Sequence, residues 1–145
     1  MEDAEDVLQE GFVRVFKNLQ SFKGEGELGA WIRRIMVNTA LSFLKKHEVY
    51  RNELAIKEEY LHPISDSNPE INLNSKDLLQ LVRQLPAGYQ AIFNLYAVEG
   101  YSHVEIGKML GISEGTSRSQ YMRARNLLIS WLEKFSGEKK KVKYV

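Results

Sequence analysis

Gly111-Ile112-Ser113-Glu114-Gly115 spells G-x-S-x-G, the nucleophile elbow of serine hydrolases. In that chemistry the serine hydroxyl attacks a carbonyl, while an acid and a histidine further along the chain hold and move its proton. The elbow also needs a strand before the serine and a helix after it. Before Ser113 stands "SHVEIGKMLG", whose Ile106, Met109 and Leu110 fall at helical spacing. After Ser113 the chain holds no Asp and no His. The hydrolase reading fails on both counts. Other chemistries find no residues either. His47, His62 and His103 are scattered, and none stands at a metal-ligand spacing with another ligand. There are no paired carboxylates and no phosphate-cradling glycine loop. With no cysteine there is no thiolate and no disulfide framework, which suits a reducing cytoplasm. The sequence predicts a chain that is not an enzyme and needs no cofactor or metal.

What positions Ser113 is a pair of helices. Ser102 with Glu105 forms a capping box that starts one helix, and Gly111 ends it as a C-cap. Ser113 caps the next. A short capped helix, a Gly-Ile-Ser turn and a second capped helix make a helix-turn-helix. Ser117, Tyr121, Ala124 and Leu128 share one face of the second helix and would pack on the first, which Gly107 lets approach closely. The opposite face presents Ser119, Met122 and Asn126, flanked by Arg118 and Arg123. Arginines and small polar groups on such a face suit the major groove, where arginine makes bidentate contacts with guanine. The alternative is the solvated face of an ordinary helical hairpin.

The rest of the chain is read the same way. Its 145 residues suffice for one ordinary domain or two small ones. A hydrophobic content of 43% and a charged content of 27% belong to a soluble globular protein. No apolar run approaches a membrane span, and the start, "MEDAEDVLQE", is acidic where a signal peptide would be basic. Val7, Leu8, Phe12, Val15, Phe16 and Leu19 follow helical spacing, with Asp3 as cap and Asp6 three residues on. "SFKGEGELG" is a glycine-punctuated loop. A second helix carries Leu28, Trp31, Ile32, Ile35, Thr39 and Phe43 on one stripe. From Glu48 the apolar pattern decays, and "HPISDSNPEINLNS" reads as a linker. A third helix runs from about Ser75 to Leu85 with Leu78, Leu81, Val82 and Leu85. A fourth, Ala87 to Val98, has Pro86 at its first position and Gly100 at its close. No strand pattern and no internal repeat is visible.

Charge alternates along the chain although the net is only +1. Glu2 to Glu10 holds five acids and no base, and Leu28 to His47 holds four bases and no acid. Glu48 to Asp77 holds seven acids against three bases, and Tyr101 to Val145 nine bases against four acids. Beyond solvated faces, this reads as two basic surfaces joined by an acidic connector. The expected fold is all-α: two small helical lobes, 1–47 and 75–138, an acidic linker at 48–74 and a basic tail at 139–145. Trp31 can stack on a base, but its stripe with Ile32 and Ile35 favours core packing. Arg33 and Arg34 can be solvated or track phosphate. Asn38 is either a core amide or a base reader, and both readings stand.

"LPAGYQAIFNLYAVEGYSHVEIGKMLGISEGTSRSQYMRARNLL" resembles region 4 of bacterial sigma factors of the extracytoplasmic-function group, and "DAEDVLQEGFVRVFKNLQSFKGEGELGAWIRRIMVNTALSFLKK" resembles their region 2. The resemblance implies a transcription initiation factor that binds core RNA polymerase and directs it to promoters. Region 4 would read the minus-thirty-five element as duplex, through Thr116, Arg118, Ser119, Met122 and Arg123, with Gln120 and Arg125 nearer the phosphates. Region 2 would recognise and melt the minus-ten element, meeting the separated strand through Lys23, Gly24, Glu25, Trp31, Arg33, Arg34 and Asn38. Asp6, Gln9, Glu10 and Val13 would meet the clamp helices of the polymerase's largest subunit, and the flap of the second-largest would be a further contact. An anti-sigma factor is a partner such proteins can have; a membrane is not. Two other classes remain: a free-standing helix-turn-helix regulator, for which no dimer element is found, and an interaction module without promoter melting.

The chain departs from the family in places. Ser117 replaces the usual apolar residue after Gly-Thr, which should weaken packing beneath the recognition helix. Gly107 stands where alanine is common, and Met36 and Val37 stand where smaller or charged residues are frequent. The start of region 2 is missing, so the N-terminal lobe should leave apolar surface uncovered. At ~25 cal/mol per Å², a few hundred Å² uncovered forgoes several kcal/mol. Residues Glu48 to Asn72 of the linker, extended, reach ~80–90 Å at most. That spans two promoter elements about two duplex turns apart, at about 34–36 Å a turn, and lets the lobes move independently.

Overall fold

The computed structural model describes the backbone of residues 2–47 and 75–142 and the side chains of 3–47 and 75–135. Every regular element among them is helical. The chain divides into two compact units, Met1–Arg51 and Asn52–Val145. The expected linker, 48–74, lies outside the described residues.

The N-terminal unit is a helical hairpin of α1 (Glu2–Asn18) and α2 (Leu28–Lys46), which pack on each other. Asp3 lies inside α1 rather than capping it, because the helix already includes Glu2. A 3-10 turn, Leu19–Ser21, ends α1, closed by the Phe22 N–H donating to Leu19 O at 3.2 Å. The loop that follows turns at Gly24 and Gly26, with φ of 69° and 88°, a region where a β-carbon is strained. The helices meet where Gly11, which is buried, faces Met36. A β-carbon at position 11 would lie 2.3 Å from Met36 Sδ. Thr39 is buried too and returns its hydroxyl to Ile35 O at 2.8 Å. Val15 and Leu41 are the buried apolar residues here, while Leu8, Phe12, Val13, Phe16, Leu19 and Leu28 are exposed. The apolar stripe of α1 is wider than α2 can cover.

The C-terminal unit holds α3 (Ser75–Gln84), α4 (Ala87–Phe93), α5 (His103–Leu110) and α6 (Glu114–Val142). Its core joins Leu81, Val82 and Leu85 to Tyr89 and to Ala124, Leu127 and Leu128, with Phe93, Trp131 and Leu132 against it. Leu78, which shares the apolar pattern of α3 in the sequence, is exposed. Pro86 stands just before α4 with extended ψ of 142° instead of occupying its first turn. The single helix expected over Ala87 to Val98 changes pitch. Past Phe93 the chain continues as a π turn, Asn94–Val98, whose Glu99 N–H reaches Asn94 O at 2.9 Å. Gly100 then takes a φ of 79°. α6 packs against α3, α4 and α5 and runs unbroken through Val142, so no helix boundary falls at the expected tail start of 139. No helix among the described residues is long and apolar enough to cross a membrane.

Candidate nucleic-acid interface

The turn between α5 and α6 is built by short-range hydrogen bonds. The Ser102 N–H donates to Glu105 Oε2 at 2.8 Å, and the Glu105 N–H donates to Ser102 Oγ at 3.2 Å, which closes the capping box. Gly111 ends α5 in the left-handed region, φ 70° and ψ 35°. The Ile112 N–H then donates to Gly107 O at 3.0 Å. Ser113 is the cap of α6: its Oγ accepts the Thr116 N–H at 3.0 Å and bonds the Thr116 hydroxyl at 2.8 Å. A β-carbon on Gly107 would lie 2.7 Å from Ile112 O, so the turn folds tightly over that glycine. Ser113 is thus spent on a helix cap, with a hydroxyl rather than a histidine beside it.

α6 has two faces. Ser117, Gln120, Ala124, Leu127 and Leu128 are buried. Arg118, Ser119, Met122 and Arg125 are exposed, Thr116 and Arg123 are half-buried, and Ser119 Oγ donates to Thr116 O at 3.0 Å. Gln120 corrects the expectation that it lies near phosphate. It is only 5% exposed, so it faces the fold, and its Oε1 has no hydrogen-bond partner among the described residues. The reason is geometric: a helix packed against three others buries a wider arc than one packed against a single partner.

The buried serine also has a partner that the sequence did not disclose. Ser117 Oγ shares a hydrogen bond of 2.9 Å with His103 Nδ1. The imidazole stacks on Tyr96 at 4.2 Å and 9°, and Tyr121 tilts against both rings. Burial first, then the charge of Arg118, hold His103 below its ordinary value of 6.5, against an opposing pull from Glu114. Glu114 in turn is ion-paired to Arg118 one turn later, a link the i,i+4 spacing of opposite charges could have revealed.

In the N-terminal unit, Lys23, Gly24 and Glu25 are exposed in the loop, and Arg33, Arg34 and Asn38 are exposed on α2. Exposure removes the core-amide reading of Asn38. Trp31 is half-buried and packs on Phe22 of the loop at 5.4 Å, so the indole ties α2 to that loop. On α1, Asp6, Gln9, Glu10 and Val13 are all exposed. Glu10 is ion-paired to Arg14. Asp6 and Glu10 also line a groove with Phe43, Lys46 and His47 of the α2 end. Among the described residues no group of three or more His, Cys, Asp or Glu can hold a metal ion.

A capped turn between two short-range helices, with an outward face bearing arginine, is the architecture of helix-turn-helix proteins. Comparison with known proteins narrows the class. Residues 1–49 match the model of Sigma-70 region 2, and residues 75–128 match that of Sigma-70, region 4. The chain is 38% identical over 141 residues to the ECF RNA polymerase sigma factor SigE of Mycolicibacterium smegmatis, covering 94% of this chain and 54% of that one. It is 31% identical over 144 residues to the ECF RNA polymerase sigma-E factor of Escherichia coli K12, covering 87% and 72%. The sigma factor RpoE of Bartonella quintana, solved in complex with the anti-sigma factor NepR, shares the fold at a TM-score of 0.56 and 24% identity, over 91% and 82% of the two chains. The chain belongs to the ECF sigma factors, which are transcription initiation factors and not enzymes. It spans about half the length of the mycobacterial relative.

Proposed function

We propose that this chain binds core RNA polymerase in the cytoplasm and directs it to promoters. The C-terminal unit reads the minus-thirty-five element as duplex, and the N-terminal unit recognises and melts the minus-ten element. The observation that carries the reading is the division of α6. Arg118, Ser119 and Met122 are exposed, while Ser117, Ala124 and Leu128 anchor the helix behind them. Arg118 and Arg123 are the base readers, Thr116 and Ser119 sit close to the duplex, and Arg125 lies nearer phosphate. Lys23, Gly24, Glu25, Trp31, Arg33, Arg34 and Asn38 form the single-strand surface, where a basic helix beside a loop draws in phosphates. Asp6, Gln9, Glu10 and Val13 meet the clamp helices, and the flap contacts the C-terminal unit. The Bartonella relative's anti-sigma complex supports a sequestering partner here as well.

Footprinting of the chain reconstituted with core polymerase tests this directly. Protection at two separated elements, with an opened minus-ten strand, is expected only when both are present. Binding of the free chain to a palindrome would replace the proposal with a free-standing regulator. In the same assay Arg118→Ala or Arg123→Ala should cost about 1–3 kcal/mol of discrimination at one minus-thirty-five base pair. An equal loss on all sequences, with a salt slope lower by about one, would make that arginine a phosphate contact instead.

A further inference from the structure

Arg118 has a partner that the assignments above do not use. Its Nε donates to Glu114 Oε1 at 3.1 Å, and its Nη2 donates to the same oxygen. A guanidinium carries its five N–H donors on two edges that can each bind in bidentate fashion: the side edge of Nε with Nη2, and the end edge of Nη1 with Nη2. Glu114 occupies the side edge. The end edge is left, and its two parallel donors match the O6 and N7 acceptors of guanine. Both side chains are open to a duplex, at 66% exposure for Arg118 and 43% for Glu114.

Glu114 stands in the first turn of α6, where an acid suits the helix dipole, but its ion pair with Arg118 adds little to folding. Water screens an exposed ion pair one turn apart, and ordering two long side chains offsets most of the attraction. On a helix that meets DNA, an acid also opposes phosphate. An acid beside a base-reading arginine therefore works against affinity, so what it adds to DNA binding is selectivity.

We propose that Glu114 is a positioning residue that sets the specificity of Arg118. By holding the side edge it fixes the guanidinium plane and presents only the end edge. It also denies that side edge to phosphate oxygens, which would otherwise capture the arginine on any sequence. The inference rests on the reading of Arg118 as a base reader.

The test uses the full chain with core RNA polymerase on promoter fragments randomised through the minus-thirty-five duplex, at two salt concentrations. Wild type, Glu114→Ala, Glu114→Gln, Arg118→Ala and the Glu114→Ala/Arg118→Ala double variant are compared. Arg118→Ala should erase a guanine preference at one position. Glu114→Ala should lower that same preference about tenfold, a bidentate contact's share of discrimination, while binding to non-preferred sequences rises. Glu114→Gln should keep the preference, because an amide oxygen accepts the same two N–H groups. The double variant should show no loss beyond Arg118→Ala. An intact guanine preference in Glu114→Ala overturns the proposal, as does a further loss at another base in the Arg118→Ala background. If Arg118→Ala changes no base preference and lowers only the salt slope, the base-reading role itself fails, and the role of Glu114 falls with it.

Discussion

His103 is the residue whose surroundings depart furthest from its sequence context. In the sequence it follows a helix cap with no metal-ligand spacing to any other residue, yet it bonds the buried Ser117 and stacks on Tyr96. The expected weakness at Ser117 is thereby met by a hydrogen bond in place of an apolar contact. Because burial and Arg118 lower the His103 pKa, the unfolded chain binds more protons than the folded one as pH falls below 6.5. The C-terminal unit should therefore hold full stability above 6.5 and lose it as pH drops through the depressed folded value. Urea midpoints between about pH 7.5 and pH 5 should show this slope in the wild type and a flatter one in His103→Gln. A slope unchanged by the substitution would place the acid sensitivity elsewhere. The signal was not legible because the pairing spans 14 positions and depends on how α5 crosses α6. The Ser102–Glu105 box and the Ser113 cap were legible, since each closes within one turn.

At the scale of elements, two glycines make opposite demands. Alanine is favoured over glycine in a helix by about 1 kcal/mol. At Gly107 that gain meets a backbone oxygen, Ile112 O, at 2.7 Å from the new β-carbon, and the turn itself must open. Gly107→Ala should therefore destabilise the C-terminal unit by about 1–3 kcal/mol, as overpacking does. At Gly11 the obstacle is the far end of Met36, which can swing aside. Gly11→Ala should stay within about 1 kcal/mol of wild type. Denaturant melts of both variants decide the matter, and equal costs would show that the turn yields as easily as a side chain. Periodicity and caps located every α-helix among the described residues, but not two features of phase. The π turn at Asn94–Val98 inserts extra rotation that no local residue announces. The inward turn of Gln120 follows from α6 having three neighbours.

Across the molecule the two units are unequal. Among the described residues, the buried apolar ones of the N-terminal unit are Val15 and Leu41, and the others, from Leu81 to Leu128, lie in the C-terminal unit. Calorimetry of the full chain should resolve two transitions, the N-terminal unit melting first and more readily at higher concentration, where its exposed α1 face can self-associate. Val15→Ala should lower that first transition by about 1–3 kcal/mol. Phe16→Ser, at a position 73% exposed, should change it by less than about 0.5 kcal/mol. One concentration-independent transition would contradict the asymmetry. The amphipathic width of α1 was visible in Val7, Leu8, Phe12, Val15, Phe16 and Leu19. Which of them α2 covers was not, because that depends on the crossing point set by Gly11 and Met36.

That crossing point carries a chemical liability. The Met36 thioether lies where a single added β-carbon on Gly11 would sit 2.3 Å from its sulfur. Oxidation to the sulfoxide adds a polar oxygen to that sulfur, and a thioether end that swings aside to hydrate it no longer fills the seam. Mild peroxide should therefore loosen the α1–α2 hairpin and leave the C-terminal unit folded, although Met122 there is the more accessible thioether. A Met36→Leu chain should keep its N-terminal melt through the same treatment. Repair by methionine sulfoxide reductases would restore the wild type, making the age and redox history of a preparation part of its measured stability.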